Sequence, residues 1–468
     1  MVGVDVQTAD GVLFESSTEI LIIGAGACGH TAALAANDAG AEVLMVERDP
    51  VPSGSTALSS GMIPACGTRF QSAKGVNDDV ERFAADILKK ARNETDPEMV
   101  RAVCREAGPA LEWLVDEHGI ELDLVEGFLY PGHSCLRMHA TPEMTGAEFM
   151  AQLISAAERS GIHTLCDALA TTLFTGDDAH IHGVKIIRPD GQIEQIECEA
   201  LILACNGYGG NKELIAQHIP DMMDALYFGH AGNQGEAILW GEALGAAIAD
   251  LGAFQGHGSV ASPEGILITW ALMSEGGIMV NSSGTRFSNE NEGYSEHGRR
   301  VMAQPNGIAW CVFDRRLHQL GMTFPDYREA DALGAVRQAS SLSDLANLCK
   351  LPQDALHQTL VSMSDFRAGK EADPHGRDFT TIPDLQPPFY AIRVTGASFH
   401  TQGGLIVDPR ARVQSERGPL FDNLFAGGGA ARGLSGPSDW GYLSGNGLLT
   451  AVTLGRIAGR EAAAMLSP

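Results

Sequence analysis

The stretch Glu19-Ile-Leu-Ile-Ile23-Gly24-Ala-Gly26-Ala-Cys-Gly29 decides the fold. A short, unbroken apolar run is the signature of a parallel strand buried on both faces. The glycines form G-x-G-x-x-G, and an Ala-rich helical stretch runs on to about Asp38. A second apolar run, Glu42-Val-Leu-Met-Val46, ends at Glu47. This is a β-α-β unit in which each glycine has a physical task. Gly24 permits the tight turn, Gly26 lets the backbone approach a pyrophosphate, and Gly29 lets helix and strand pack closely. The helix N-terminus offers unpaired N–H groups and a positive dipole end to phosphates. Glu47, 23 residues beyond Gly24, stands where a carboxylate accepts both ribose hydroxyls. A dinucleotide site is expected.

Working outward, residues 80–118 and 145–160 read as helices, and 169–199 as short antiparallel strands turning at Pro189-Asp-Gly191. The apolar run Ala200-Leu-Ile-Leu-Ala204 leads into Asn206-Gly207. From 240 to 375 the texture changes to helices and loops with many polar residues, ending in Gly369-Lys-Glu-Ala-Asp-Pro-His-Gly-Arg377. Apolar runs return at Tyr390–Val394, Gly404–Val407 and Asn423–Ala426, before a last helix that begins near Gly447. The division expected is a first domain at 1–239, an inserted domain at 240–375 and the return of the first domain at 376–468.

Composition narrows the classes. The chain has 468 residues, 44% apolar and 19% charged, which suits two or three globular domains and not a disordered chain. Asp and Glu number 59 against 32 Lys and Arg, a formal charge of −27. Such a balance opposes binding to nucleic acid or an anionic membrane surface. Nine cysteines stand singly with no C-x-x-C, so neither a disulfide scaffold nor a structural zinc site is expected, and no metal is required. No signal peptide and no 18-residue apolar span is read, and a cytoplasmic location is expected.

Three further segments select the nucleotide. Ser53-Gly-Ser55-Thr56 with Ser59-Ser60-Gly61 resembles a loop that covers a flavin ring and its pyrophosphate. Ala204-Cys-Asn206-Gly207 resembles the turn near the adenosine, and Leu424-Phe-Ala-Gly427-Gly428, with the Gly-rich run to Gly447, resembles a C-terminal flavin segment. Together they resemble the flavoprotein family of fumarate reductases, succinate dehydrogenases and 3-ketosteroid dehydrogenases. The resemblance implies an α/β fold: a Rossmann-like, glutathione-reductase-type FAD domain carrying an inserted α+β cap. It also implies non-covalent FAD, held by Gly24, Gly26, Gly29, Glu47, Arg48, Ser55, Thr56, Ser60, Gly61, Ala170, Ala204, Asn206, Gly207, Gly427, Gly428, Asn446, Gly447, Leu448 and Leu449.

Fumarate reductases of this family line their substrate cleft with a histidine, a threonine 12 residues on, an arginine 25 further, a His-Thr-x-Gly-Gly histidine and a second arginine. This chain keeps His257, Thr269 and His400 in His400-Thr-Gln-Gly-Gly404. The arginine positions hold Tyr294 and Tyr442, and the proton-feeding acid and arginine fall on Trp270 and Met273. A dicarboxylate needs charged, often bidentate partners, whereas two phenols suit a neutral carbonyl. The string Gly441-Tyr-Leu-Ser-Gly445 resembles the Δ4-(5α)-type ketosteroid dehydrogenases and related cyclic ketone desaturases. That likeness implies a desaturase acting next to a ketone. Tyr294, Tyr442, Ser444 and His400 would be catalytic, and His257, Thr269 and Asn446 would bind substrate. Arg286 and Glu290 are expected to form a structural pair, and Tyr130 is a further candidate proton relay. A reductase or dehydrogenase of carboxylic acids, like fumarate reductase or tricarballylate dehydrogenase, is the alternative. No cluster-binding cysteines or heme motif occur, so the expected partners are a carbonyl-bearing small molecule and a separate electron acceptor: a quinone, an electron-transfer protein or oxygen.

Overall fold

Ser16–Ile23 forms the central strand of a large sheet, flanked in parallel by Val43–Val46 and by Ile193–Leu203, with Leu21 opposite Leu44 on one side and Leu201 on the other. Its inner residues Ile20, Leu21 and Ile22 are fully buried, as the unbroken apolar run predicts. The computed structural model describes residues 4–176 and 180–466. The chain divides into two units, the first comprising residues up to Ile219, Phe228–Phe254 and from His400 on.

In this first unit the sheet continues from Val43–Val46 to His163–Leu165 in parallel. On the other side Ile193–Leu203 pairs antiparallel with Ile181–Ile187, which pairs with Leu169–Thr175. Asp5–Thr8, which the sequence did not disclose as a strand, adds in parallel beside Leu169–Thr175. Leu420–Ala426 joins the end of Ile193–Leu203, with Leu424 opposite Leu201. The helix Ala27–Asp38 is buried on nearly every side through Ala36. It lies under the sheet and against the last helix, Asn446–Leu466. Their contact has no room for side chains. A Cβ on Gly455 would come 2.5 Å from the Cys28 carbonyl oxygen, and one on Gly459 would overlap the Ala32 carbonyl. Gly455 meets Cys28 and Gly459 meets Ala32, so the two helices run in the same direction.

The second unit comprises Pro220–Tyr227 and Gln255–Phe399. It is built on its own sheet, in which Ile308–Asp314 pairs antiparallel with Phe389–Thr401 and with Ile278–Val280. Its core gathers Met279, Val312, Phe313, Tyr327, Leu356 and Ile392. The polar stretch 369–377 lies inside this unit, and the unit runs to Phe399 where the sequence suggested an end at 375. The physical reason is that the strand Phe389–Thr401 pairs along its length with Ile308–Asp314 in this sheet, while residues 240–254 fall in the first unit. All nine cysteines are free thiols, six of them buried.

Gly459→Val is expected to force the two helices apart, at about 1–3 kcal/mol for such overpacking. A lowered thermal midpoint with otherwise native circular dichroism is the expected result; an unchanged midpoint would show the crossing has slack.

Candidate active site

In the first unit the Gly-rich turn is built as its sequence demands. Gly24 adopts a φ of 101°, and a Cβ there would lie 2.6 Å from the Ala204 carbonyl oxygen. The space beside Gly26 is open, with Thr56 Oγ1 the nearest atom at 3.7 Å from where a Cβ would be. That hydroxyl accepts the Ala27 N–H at 3.2 Å. Glu47 is buried, and its carboxylate accepts the N–H groups of Ala25 at 2.9 Å and Asp49 at 3.1 Å. A carboxylate has further lone pairs, so both ribose hydroxyls can still be accepted there.

The neighbouring candidates divide by what their side chains already do. Arg48 donates to the Gly232 carbonyl and pairs with Glu236 at 3.0 Å. Ser55 Oγ accepts from His230 N–H at 3.1 Å and Asn233 Nδ2 at 2.8 Å. Ser60 is exposed, while Gly61 packs its backbone on Thr145. Asn206, at φ 66°, turns its Oδ1 onto the Gly207 N–H at 2.8 Å. Gly427 and Gly428 lie against Cys28. Ala170, Ala204 and Leu449 belong to the core and Leu448 packs against it.

Asn446 opens the last helix. It is fully buried, and neither Oδ1 nor Nδ2 has a hydrogen-bond partner among the described residues. A buried donor and acceptor left unpaired each cost about 1–3 kcal/mol. The pyrimidine edge of a flavin presents adjacent donors and acceptors and would satisfy both. The reach also fits. Asn446 stands nine residues before Gly455, the point opposite Cys28. At 1.5 Å per residue the helix therefore begins about 13 Å beyond the phosphate turn, as an extended cofactor with phosphates at one end and a ring at the other requires.

Tyr442, His400 and Ser444 gather at this helix start. Tyr442 is buried, which pushes its phenol up, while the backbone N–H groups of Gly447 and Gly445 at its oxygen pull the other way. Its ring meets His400 edge-on at 5.5 Å. Burial lowers His400 to about 4, so the ring is neutral. Its Nδ1 lies 3.0 Å from Gln402 Nε2 and 3.3 Å from the Thr401 carbonyl. Ser435 Oγ donates to Gln402 Oε1 at 2.7 Å, which leaves Nε2 as the donor toward His400. Nδ1 of His400 therefore has both a donor, the Gln402 amide, and an acceptor, the Thr401 carbonyl, within reach. The sequence reading missed Gln402; the only signal was an amide at the free position of His-Thr-x-Gly-Gly. Ser444 is buried. Tyr130 donates to Met62 Sδ at 2.8 Å and is pushed up to about 12 by burial, which gives a proton relay no outlet there.

The second unit gathers His257, Thr269 and Tyr294. His257 lies on the strand Phe254–Ala261, and Val260 pairs with Leu267 so that the hairpin returns Thr269 alongside. Ser259 N–H donates to His257 Nδ1 at 3.1 Å, which fixes its proton on Nε2. Burial and the neighbouring His297 lower it to about 3. Tyr294, the first residue of the helix Tyr294–Met302, stacks on the His257 ring at 5.0 Å. Trp270 stands edge-on to His257 at 5.8 Å and 4.7 Å from His297. Met273 is buried. Arg286 holds Glu290 through Nε at 3.0 Å and Nη2 at 2.8 Å, and Arg377 adds a contact at 2.9 Å. Burial would raise Glu290, but the two guanidiniums hold it at about 2. Arg286 and Arg377 thus support the unit, as expected of the Arg286–Glu290 pair.

These features define an FAD-dependent flavoprotein oxidoreductase, and the chain belongs to the FAD binding domain family, whose pattern matches residues 19–448. It is 30% identical over 449 residues to the probable fumarate reductase Ifc3 of Shewanella frigidimarina (strain NCIMB 400), covering 96% of this chain and 75% of that protein. The structure of the open conformation of a flavocytochrome c3 fumarate reductase superposes with a TM-score of 0.81 at 29% identity, over 97% of this chain and 79% of that one. The 3-ketosteroid-Δ4-(5α)-dehydrogenase of Rhodococcus jostii RHA1 shares the fold, with a TM-score of 0.81 at 24% identity, over 98% of this chain and 99% of that one. No helix among the described residues is long and apolar enough to cross a membrane.

Burial lowers His30, His133, His139 and His400 to about 4 and His257 to about 3. An unfolded chain protonates its histidines near pH 6.5, so it takes up protons that these sites refuse. Their effect is absent above that pH and destabilises progressively as pH falls toward 4. The thermal midpoint should therefore drop between pH 7 and pH 5, with proton uptake on unfolding; a midpoint that rises on acidification contradicts the assignment.

Proposed function

We propose that the chain is a dehydrogenase that introduces a C=C bond conjugated to a ketone of a cyclic or steroid-like substrate. The reading is supported by the tyrosines Tyr294 and Tyr442, which stand where the resemblance to fumarate reductases implies arginines. Neutral His257 and His400 strengthen it, since each offers an N–H donor and no charge. Nearby Arg286 and Arg377 are committed to Glu290, and Arg432 pairs with Asp250 at 2.6 Å.

In this reading the substrate loses a proton from the carbon next to the carbonyl and a hydride from the one beyond, and the α C–H electron pair becomes the new π bond. FAD, when bound, supplies the two-electron acceptor. Tyr442, with a neighbouring backbone N–H, holds the ketone oxygen as it gains negative charge, each such donor being worth roughly 3–4 kcal/mol where removed from other enzymes. Tyr294 takes the α-proton. A phenol at the ordinary pKa of about 10 is a weak base, so this step needs Tyr294 activated by its surroundings. His257 and Thr269 bind a second oxygen of the substrate. FAD is non-covalent, the protein works in the cytoplasm, and electrons leave to a quinone, an electron-transfer protein or oxygen.

The second reading, a reductase or dehydrogenase of carboxylic acids, is favoured by the likeness to the probable fumarate reductase and by the kept His257, Thr269 and His400. Anaerobic mixing of the yellow protein with saturated cyclic ketones, 3-ketosteroids and dicarboxylates separates the two. Bleaching of flavin absorbance by ketones is expected, and bleaching by succinate-like acids alone overturns the proposal. Tyr294→Phe should lower turnover by about 10²–10⁴ while FAD stays bound. Near-parental turnover removes Tyr294 from the chemistry.

A further inference from the structure

The loop before the strand Met138–Ala140 holds a buried cation that neither the nucleotide turn nor the proposed chemistry uses. Arg137 is 2% exposed. Its Nε and Nη2 each donate to Asp78 at 2.8 Å, and Nη1 donates to Asp86 at 2.6 Å and to His133 Nδ1 at 3.1 Å. The guanidinium also lies 4.4 Å from the Phe83 ring centre. A guanidinium has only donors, so His133 Nδ1 must accept, and the ring proton sits on Nε2. That nitrogen lies 3.0 Å from the Ser444 carbonyl oxygen, which can only accept. One tautomer satisfies both ends. Burial, then the adjacent Arg137 charge, lowers His133 to about 4, so it does not switch at neutral pH.

The carbonyl so held lies between Tyr442 and Asn446. The Ser444 C=O and the Gly445 N–H belong to one planar peptide group and point in opposite directions. Fixing the carbonyl on His133 therefore aims the Gly445 N–H away from it, and this N–H is one of the two that reach the Tyr442 oxygen. Packing confines the same turn. A Cβ on Gly132 would come 2.6 Å from Leu443 Cδ1, and one on Gly445 would come 2.5 Å from Pro64 Cδ.

We propose that His133, set in its Nε2–H form by Arg137, is a positioning residue that orients the Ser444–Gly445 peptide and, through it, the Tyr442 phenol and the N-terminus of the helix Asn446–Leu466. The inference needs FAD and this turn, not the identity of the substrate. A helix N-terminus stabilises the negative charge of a reduced flavin, so a misaimed turn shifts the flavin potential.

Two variants of the FAD-loaded protein test it. His133→Asn keeps an acceptor near the Nδ1 position for Arg137 but is too short to reach Ser444. His133→Gln keeps a donor near the Nε2 position. In H133N, hydrogen exchange across 441–447 should speed by about tenfold or more, and the flavin midpoint potential should become more negative, with FAD retained. In H133Q both quantities should return toward the parent values. The proposal is overturned if H133N matches the parent in both, if H133Q loses as much as H133N, or if the variants fail to fold or to hold FAD, which would make the cluster a general folding element.

Discussion

The close crossing of the first and last helices of the FAD-binding unit is the constraint on which the rest depends. Gly455 and Gly459 place the final helix directly on the backbone of Cys28 and Ala32. Dispersion at such short range is strong, and it is lost over small separations. The contact joins chain segments more than 400 residues apart, so the Gly-rich turn and the start of the last helix are set by one piece of packing. Parallel alignment fixes the offset between Asn446 and the Gly-rich turn.

A second theme is how protons are assigned. His257, His133 and His400 are neutral, and the first two accept on Nδ1 from a neighbour, the Ser259 N–H and the Arg137 guanidinium, while His400 Nδ1 lies beside the Gln402 amide and the Thr401 carbonyl. For His257 and His133 the group behind Nδ1 can only donate, so the ring proton is on Nε2. The unit-to-unit chemistry differs but the device is the same: a fixed donor behind the ring turns histidine from a titrating group into a directional one.

The FAD-binding unit was readable because its strands are unbroken apolar runs and its turns are glycine-marked; the expected strands at 19–23, 42–46 and 200–204 fall within or beside those observed. The second unit was harder. Its strand Phe254–Ala261, Phe-Gln-Gly-His-Gly-Ser-Val-Ala, lacks apolar alternation because Gly258 makes room for His297 of the crossing helix. Ile308–Asp314 is a continuous apolar run, yet it was absorbed into a stretch read as helices and loops for its polar surroundings. The polar stretch 369–377 read as the end of the inserted domain because charge normally marks solvent, whereas here the Asp373 and Arg377 side chains are internal. At the site, residue types were visible but their supports were not. Gln402, Ser435, His133 and Arg137 act through contacts across long sequence separations, and no local pattern encodes those.

The buried ion pairs bear on substrate choice. A guanidinium is useful to a carboxylate ligand only if its donors are available, and buried charges are retained only when paired. Arg286 and Arg377 converge on Glu290, with the Arg377 Nη2 also on the Met273 carbonyl at 2.7 Å. Their positive charge is consumed in fixing the segment that ends at Tyr294, four residues beyond Glu290. The same segment in a fumarate enzyme would end in arginine and present a cation. Here Glu290 is held by two guanidiniums, and residue 294 is a phenol stacked on a neutral imidazole. Under the proposed function this segment presents a phenol and not a cation, which is the physical basis for reading a carbonyl, rather than a carboxylate, as the group it meets.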